Sequence, residues 1–494
     1  METTAILMSE TATIEPVRNL SAEQIEQLQQ IVGDDNVLQH SSDLLTYDCD
    51  GTTLEKLPPA AVVFVHNTGE VQRIVKWCNE NALPFCARGA GTGLSGGALA
   101  LHGGIIIELS RMTQILEVDF KSGIAVVEPG LVNLMLTRHI SEEGYYFAPD
   151  PSSQSACTIG GNVAENSGGP HTLKYGVTTN HVLGLEIVMP DGEVVNFGGD
   201  VRHNPGYDLT GLLVGSEGTF GIATKITVRI LRNPQSTKTL LASFTTIRDA
   251  SQTVSDITAA GMIPAALELM DGFLCNAIES HLKIGLPKDA GAVLLIELDG
   301  VTAGQDDLAD RITEIGNRNN AIFVRVATNA KERADLWRAR KGAFGAVGLI
   351  SPSYYTHDGV IPRSKLPEVL ERIDEIVKRY DLRVANVFHA GDGNLHPLLL
   401  FDDRDPEQIE RVHQAGEEIL RVCVDVGGSL TGEHGIGFEK IGAMSWLFDD
   451  VALDLMRRVR ETFDPTGLCN PGKVVPTPGR CSDVRKTFGA KRYA

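Results

Sequence analysis

Residues 88–98 read RGAGTGLSGGA, and whether a helix or a strand succeeds them decides the fold. Within the stretch, GTGLSG at 91–96 matches the G-x-G-x-x-G pattern of a dinucleotide-binding turn, and the strand-like PFCAR precedes it. That pattern requires a helix to open at the last glycine and an acidic residue about 20 positions on. Glu108 and Asp119 fall loosely in range, but GALALHGGIIIEL has the Gly and β-branched character of a strand entry. The expectation is a loop that returns to a strand, which argues against a doubly wound sheet. Glycines and alanines in such a loop remove Cβ obstacles, so successive backbone N–H groups can converge on a diphosphate.

A second stretch, DPSSQSACTIGGNVAENSGGPHTLKYG at 150–176, packs Ser152, Ser153, Ser155, Thr158, Gly160, Gly161, Asn162, Asn166, Gly168 and Gly169 into one segment. These are more small donors than a surface loop needs for its own turns. Around both stretches, from about residue 55 to 235, short apolar runs rich in Val and Ile alternate with Gly-rich turns. One helix stands out, TGEVQRIVKWCNENAL, with Val71, Ile74, Val75 and Cys78 at helical spacing behind a Thr-x-x-Glu-like entry. From about 237 the texture changes. Strand-like TLLASF, AVLLIELDG and AIFVRVA alternate with helical RDASQTVSDITAAG and PEVLERIDEIVKRY, which predicts an antiparallel sheet covered by helices on one side. The run VALDLMRRVRETF predicts a helix stopped at Asp464-Pro465. The fold class read from these textures is α+β.

The chain of 494 residues, 42% of them hydrophobic, is long enough for two or three packed domains. A net charge of −20 would repel nucleic acid and anionic membrane over most of the surface. Eight scattered cysteines include no C-x-x-C pair, which disfavours zinc ribbons, redox dithiols and iron–sulfur ligation and fits a reducing compartment. The stretch METTAILMSETATIEPVRNL does not read as a secretory signal, and no apolar run approaches the ~20 residues of a spanning helix. A cytoplasmic protein is expected, with any membrane contact peripheral at the inner face.

One further stretch carries chemistry. In FHAGDGNLHPLLLF, 388–401, a Gly-Asp-Gly-Asn turn between apolar residues predicts a hairpin that sets His389 and His396 across from each other. The pair could be hydrogen-bonded to its surroundings or could hold a ligand.

Taken together, RGAGTGLSGGA, DPSS followed by TIGGNVAENSGG, GSEGTFGI at 215–222, FHAGDGNLH, GEHGIG and the closing NPGK resemble the FAD-linked 2-hydroxy acid dehydrogenases. That family includes FAD-linked glycolate oxidase subunits, D-lactate dehydrogenases and D-2-hydroxyglutarate dehydrogenases. The resemblance runs from about residue 40 to 475. It implies a vanillyl-alcohol-oxidase-type FAD-binding domain at 1–236, an inserted α+β substrate domain at 237–454 and a segment, 455–494, that returns to the first domain.

The resemblance also implies site residues. The first loop, Arg88, Gly89, Ala90, Gly91, Thr92, Gly93, Leu94, Ser95, Gly96 and Gly97, would hold the FAD diphosphate. The second, Pro149, Asp150, Ser152, Ser153, Thr158, Gly160, Gly161, Asn162, Asn166 and Gly168, would line the rest of the cofactor. Glu217, Gly218 and Ile222 would sit near the adenine or the flavin, and Asn470 near the isoalloxazine. Some relatives attach FAD through a histidine in the first loop; residues 88–98 contain none, so FAD is expected to be non-covalent.

Glu433, from GEHGIG, would join His389 and His396 as ligands of a divalent metal. Two imidazoles and a carboxylate suit Zn2+, Mn2+ or Fe2+; the competing reading has Glu433 as a helix cap. His434 would be the base, and Arg340, in LWRARKGAF, the clamp on a substrate carboxylate.

The implied activity is oxidation of glycolate or D-lactate. Electrons would pass to a quinone, a soluble carrier or a separate iron–sulfur subunit, in a homodimer or hetero-oligomer. Where the 2-hydroxyglutarate members use a lysine, this chain offers SPSYYTHDGV, which favours a smaller monocarboxylate. The alternatives are a dehydrogenase of a bulkier acid, a flavin-free metal hydrolase, which would lack an H-E-x-x-H helix, and a nucleotide-binding regulatory subunit.

Overall fold

The computed structural model describes residue 17 and residues 19–52, 54–201 and 205–476. Most of METTAILMSETATIEPVRNL, and Cys481, lie outside the described residues.

Strands Ala61–Phe64, Ile105–Glu108 and Phe85–Arg88 form a parallel core, with Val37–Leu38 antiparallel on its edge. The Ile105–Glu108 strand is buried along its whole length. Helix Thr68–Glu80 covers this sheet and buries Val71, Ile74, Val75 and Cys78 completely, the residues its spacing marked. Its entry differs from the expected Thr-x-x-Glu. Asn67, in extended conformation, is the cap and accepts from the Glu70 N–H, while Thr68 is already helical.

After Arg88 no helix opens. The chain curls through positive-φ Gly91 and Gly96 and next becomes regular at Ile105, beside the strand it left. A second, wholly antiparallel sheet of five strands packs Val127, Ile187 and Ile226 against helices Asn133–Ile140 and Ile159–Glu165.

The sheet built mainly from residues 236–401 has nine strands. Helices cover both of its faces, which corrects the expectation of one. Leu294 and Ile296 pack with helices Ile247–Ala259 and Leu366–Arg379; Val293 and Leu295 pack with Gly272–Leu282 and Ala330–Lys341. The signal was the unbroken apolar run AVLLIEL, since a strand with one wet face would alternate.

Helix Asp450–Phe463 ends at Asp464, whose carboxylate accepts from the Cys469 N–H at 3.0 Å. The chain then returns to the first sheet. The Phe85 N–H donates to Leu468 and the Asn470 N–H to Phe85. Lys473, fully buried, donates to the carbonyls of Gly96, Gly97 and Leu99 at 2.7–3.0 Å. The closing NPGK thus clamps the first Gly-rich loop. No helix among the described residues is long and apolar enough to cross a membrane.

Candidate active site

The two Gly-rich stretches face each other across a cavity of about 340 Å³. Arg88 to Leu94 and Gly97 line one wall; Ser152, Ser153, Thr158, Gly160, Gly161 and Asn162 line another, with Glu217 and Gly218 beside them. The walls touch. A Cβ on Gly89 would fall on the Thr158 hydroxyl, and one on Gly160 would lie 2.6 Å from Pro129 Cβ. The backbone N–H groups of residues 90–94 donate to no protein acceptor among the described residues. A loop with a run of uncommitted donors suits the oxygens of a diphosphate.

Other expected cofactor residues stand off the cavity and support it. Ser95 is buried, and its carbonyl accepts from the Phe438 N–H; Gly96 packs on the Phe438 ring. The Pro149 carbonyl accepts from Asn133, and Asp150 pairs with His171 at 2.9 Å. Asn166 ends its helix in the left-handed region, where its side chain accepts from the Thr179 N–H. Gly168 backs Glu433: a Cβ there would lie 3.1 Å from Glu433 Oε2. Ile222 is core, paired with Val188. Asn470 donates to the Gly97 and Glu217 carbonyls at 3.0 and 2.7 Å, tying two walls together.

Strand pairing assembles the histidine cluster. His389 ends strand Arg383–His389, and its partner across the hairpin is Asn394, not His396 as the turn had suggested. The ladder resumes at Asn386↔Pro397, so His396 lies diagonal to His389 on the same face, the rings 5.1 Å apart. On the neighbouring strand Glu268 is the register partner of His389.

Glu268 holds His389 Nδ1 at 2.9 Å, and His389 Nε2 lies 3.1 Å from Glu433 Oε1. His396 Nε2 lies 3.5 Å from the same Glu433 oxygen. The ligand atoms of His389, His396 and Glu433 fall within 4.8 Å of one another. That donor set fits a divalent metal, with a carboxylate behind one imidazole to fix its tautomer.

His434 sits beside the cluster. Its ring stacks on His396 at 4.7 Å, and its Nε2 is 3.9 Å from Glu433 Oε1. Burial pushes its pKa down to about 4, so the imidazole is neutral near pH 7. Burial would raise the Glu433 carboxyl, but His389, then His396 and His434, hold it down at about 2.

The 431–434 turn is organised by Asp358. Its carboxylate takes the Thr431 hydroxyl and the N–H groups of Gly432 and His434, at 3.1 and 2.9 Å, with Lys440 at 3.5 Å. Asp358, His396 and His434 form a second potential ligand cluster.

Arg340 departs from its expected place. It is fully buried behind His389, with Nη2 2.5 Å from Glu268, and does not line the cavity; its neighbour Lys341 does. Arg340 Nε and Nη1 have no partner among the described residues. Glu268, Asp358 and Lys341 carried no motif, and only strand register and helix phase bring them here. Phe344 and Tyr354 complete the wall on this side.

A model described as FAD binding domain matches residues 59–198, and one described as FAD linked oxidases, C-terminal domain, matches 233–474. The glycolate oxidase subunit GlcD of Escherichia coli strain K12 is 45% identical over 92% of this chain and 90% of its own. That of Bacillus subtilis strain 168 is 40% identical over 94% and 98%. A D-lactate dehydrogenase of Anaerostipes hadrus is 33% identical over 85% and 90%. Among solved structures, the 4-ethylphenol oxidase of Gulosibacter chungangensis superposes with a TM-score of 0.78 at 19% identity, covering 93% of this chain and 99% of that one. This last likeness shows a shared fold.

Proposed function

Because the chain belongs to the FAD-linked oxidases, alongside glycolate oxidase subunits and D-lactate dehydrogenases, we propose that it oxidises a small 2-hydroxy acid, glycolate or D-lactate. The observation that carries the reading is placement: His396, Glu433 and His434 line the same cavity as both Gly-rich loops. Bound FAD would accept the C2 hydrogen as hydride. A divalent metal held by His389, His396 and Glu433 would lower the pKa of the substrate hydroxyl.

The protein's own residues do the rest. Neutral His434 takes the hydroxyl proton, as its depressed pKa permits. Arg340, buried behind His389 and off the cavity wall, brings a positive charge that would draw a substrate carboxylate towards the cluster, and Lys341 is the neighbouring cation that lines the cavity. Phe344 and Tyr354 form an aromatic wall, ring centroids 6.2 Å apart, that limits the substituent at C2. FAD is held without a covalent bond, since the loop that would carry the attaching histidine has none. Electrons leave to a quinone, a soluble carrier or an iron–sulfur partner subunit; in support, relatives named as glycolate oxidase subunits imply an assembly.

The test is a panel of small 2-hydroxy acids, both enantiomers, assayed with a dye acceptor. Glycolate or D-lactate should turn over, and acid precipitation should leave all yellow colour in the supernatant. Turnover of 2-hydroxyglutarate alone would transfer the assignment to the bulkier acids, and colour in the pellet would end the non-covalent claim.

A further inference from the structure

Glu165 closes helix Ile159–Glu165 and lines the cavity between the first Gly-rich loop and the turn that carries His434. Two glycines make room for it. A Cβ on Gly97 would fall on its Oε1, and a Cβ on Gly435 would fall on its Oε2. The same Cβ on Gly435 would lie 2.8 Å from Glu217 Oε1, so two carboxyls crowd one face of Gly435.

Their surroundings differ. Glu217 accepts the N–H groups of Ile436 and Gly437, both at 2.7 Å, which oppose the burial that raises its carboxyl. Glu165 Oε2 is buried with no partner among the described residues. Two adjacent buried carboxyls do not both ionise cheaply, and N–H donors decide which one keeps its charge. Burial, Glu217 and Asp50 all favour the acid form of Glu165, opposed by Lys473 and Lys440, and its pKa stands well above the usual carboxylate range.

A carboxylic acid differs from a carboxylate in having an O–H to give. Facing a cofactor whose diphosphate, carbonyl oxygens and ring nitrogens are acceptors, a carboxylate would repel, and a neutral acid would bind. We propose that Glu165 is a neutral acid that donates its O–H to an acceptor atom of bound FAD, making it a cofactor-binding residue of the second Gly-rich stretch. This role rests on FAD occupying the cavity.

Infrared difference spectra of the FAD-loaded protein against the apoprotein test it directly. The wild type should show a protonated-carboxyl band at neutral pH that shifts when FAD is removed, and E165Q should lack it. E165Q keeps a donor and should hold FAD within about threefold of wild type; E165L should hold it about tenfold more weakly, the worth of one hydrogen bond. The flavin absorption of E165L should also shift. A wild type without such a band, or E165L with wild-type FAD affinity and spectrum, overturns the proposal. A wild type that binds no FAD would overturn the underlying reading instead, and the infrared comparison of wild type with E165Q remains decisive if E165L fails to fold.

Discussion

His434 combines three properties a base needs: a neutral ring, burial against His396, and a position 3.9 Å from the Glu433 carboxylate. His434→Ala should lower kcat about 100-fold or more while FAD stays bound, read by steady-state kinetics and the flavin spectrum. Its neighbour His389 is bracketed by Glu268 and Glu433, so His389→Ala should lose metal and turnover together and keep FAD, as metal analysis would show. Arg340 and Lys341 compete for one role. If Arg340 clamps the substrate carboxylate, Arg340→Lys should raise KM and lower kcat, and Lys341→Met should change KM less than about threefold. The reverse pattern would give the clamp to Lys341, the residue on the cavity wall.

Helices and strands were legible in the sequence where periodicity is strong. The Val71, Ile74, Val75 and Cys78 stripe is buried as its spacing implied, and the Asp464-Pro465 stop ends its helix. Caps and faces were harder to read, because Asn67 and Thr68 are both good caps and only backbone conformation chooses between them, and sheet coverage depends on which helices return. The segment after helix Asp450–Phe463 acts as a clamp through Lys473. Lys473→Met would remove three buried hydrogen bonds, to the carbonyls of Gly96, Gly97 and Leu99, and should destabilise the protein by about 3 kcal/mol and weaken FAD retention. Thermal unfolding with and without added FAD would measure both effects.

Across the molecule, a charged seam joins the second Gly-rich stretch to the large sheet. His171 pairs with Asp150 at 2.9 Å and Glu297 at 3.3 Å and stacks on Trp337. Burial would lower its pKa, but Asp150, followed by Glu297, raises it to about 10. The folded protein therefore holds a proton that the unfolded chain releases near pH 6.5. This contribution is fully present below that pH and is lost as pH rises through about 10, at no more than about 1.4 kcal/mol per pH unit. The midpoint of urea unfolding should fall over that window, and His171→Gln should flatten the decline. The sequence alone exposed the two Gly-rich loops and argued against a doubly wound turn, because those signals are local; the family resemblance, not spacing, pointed to His389, His396, Glu433 and His434. Tertiary structure alone decided that Glu268 stands behind His389, that Asp358 shapes the 431–434 turn, that Arg340 is buried while Lys341 reaches the cavity, and that Glu165 faces Glu217. Those placements come from strand register, helix phase and the crossing of distant backbone segments, none of which is written in the spacing of residues along the chain.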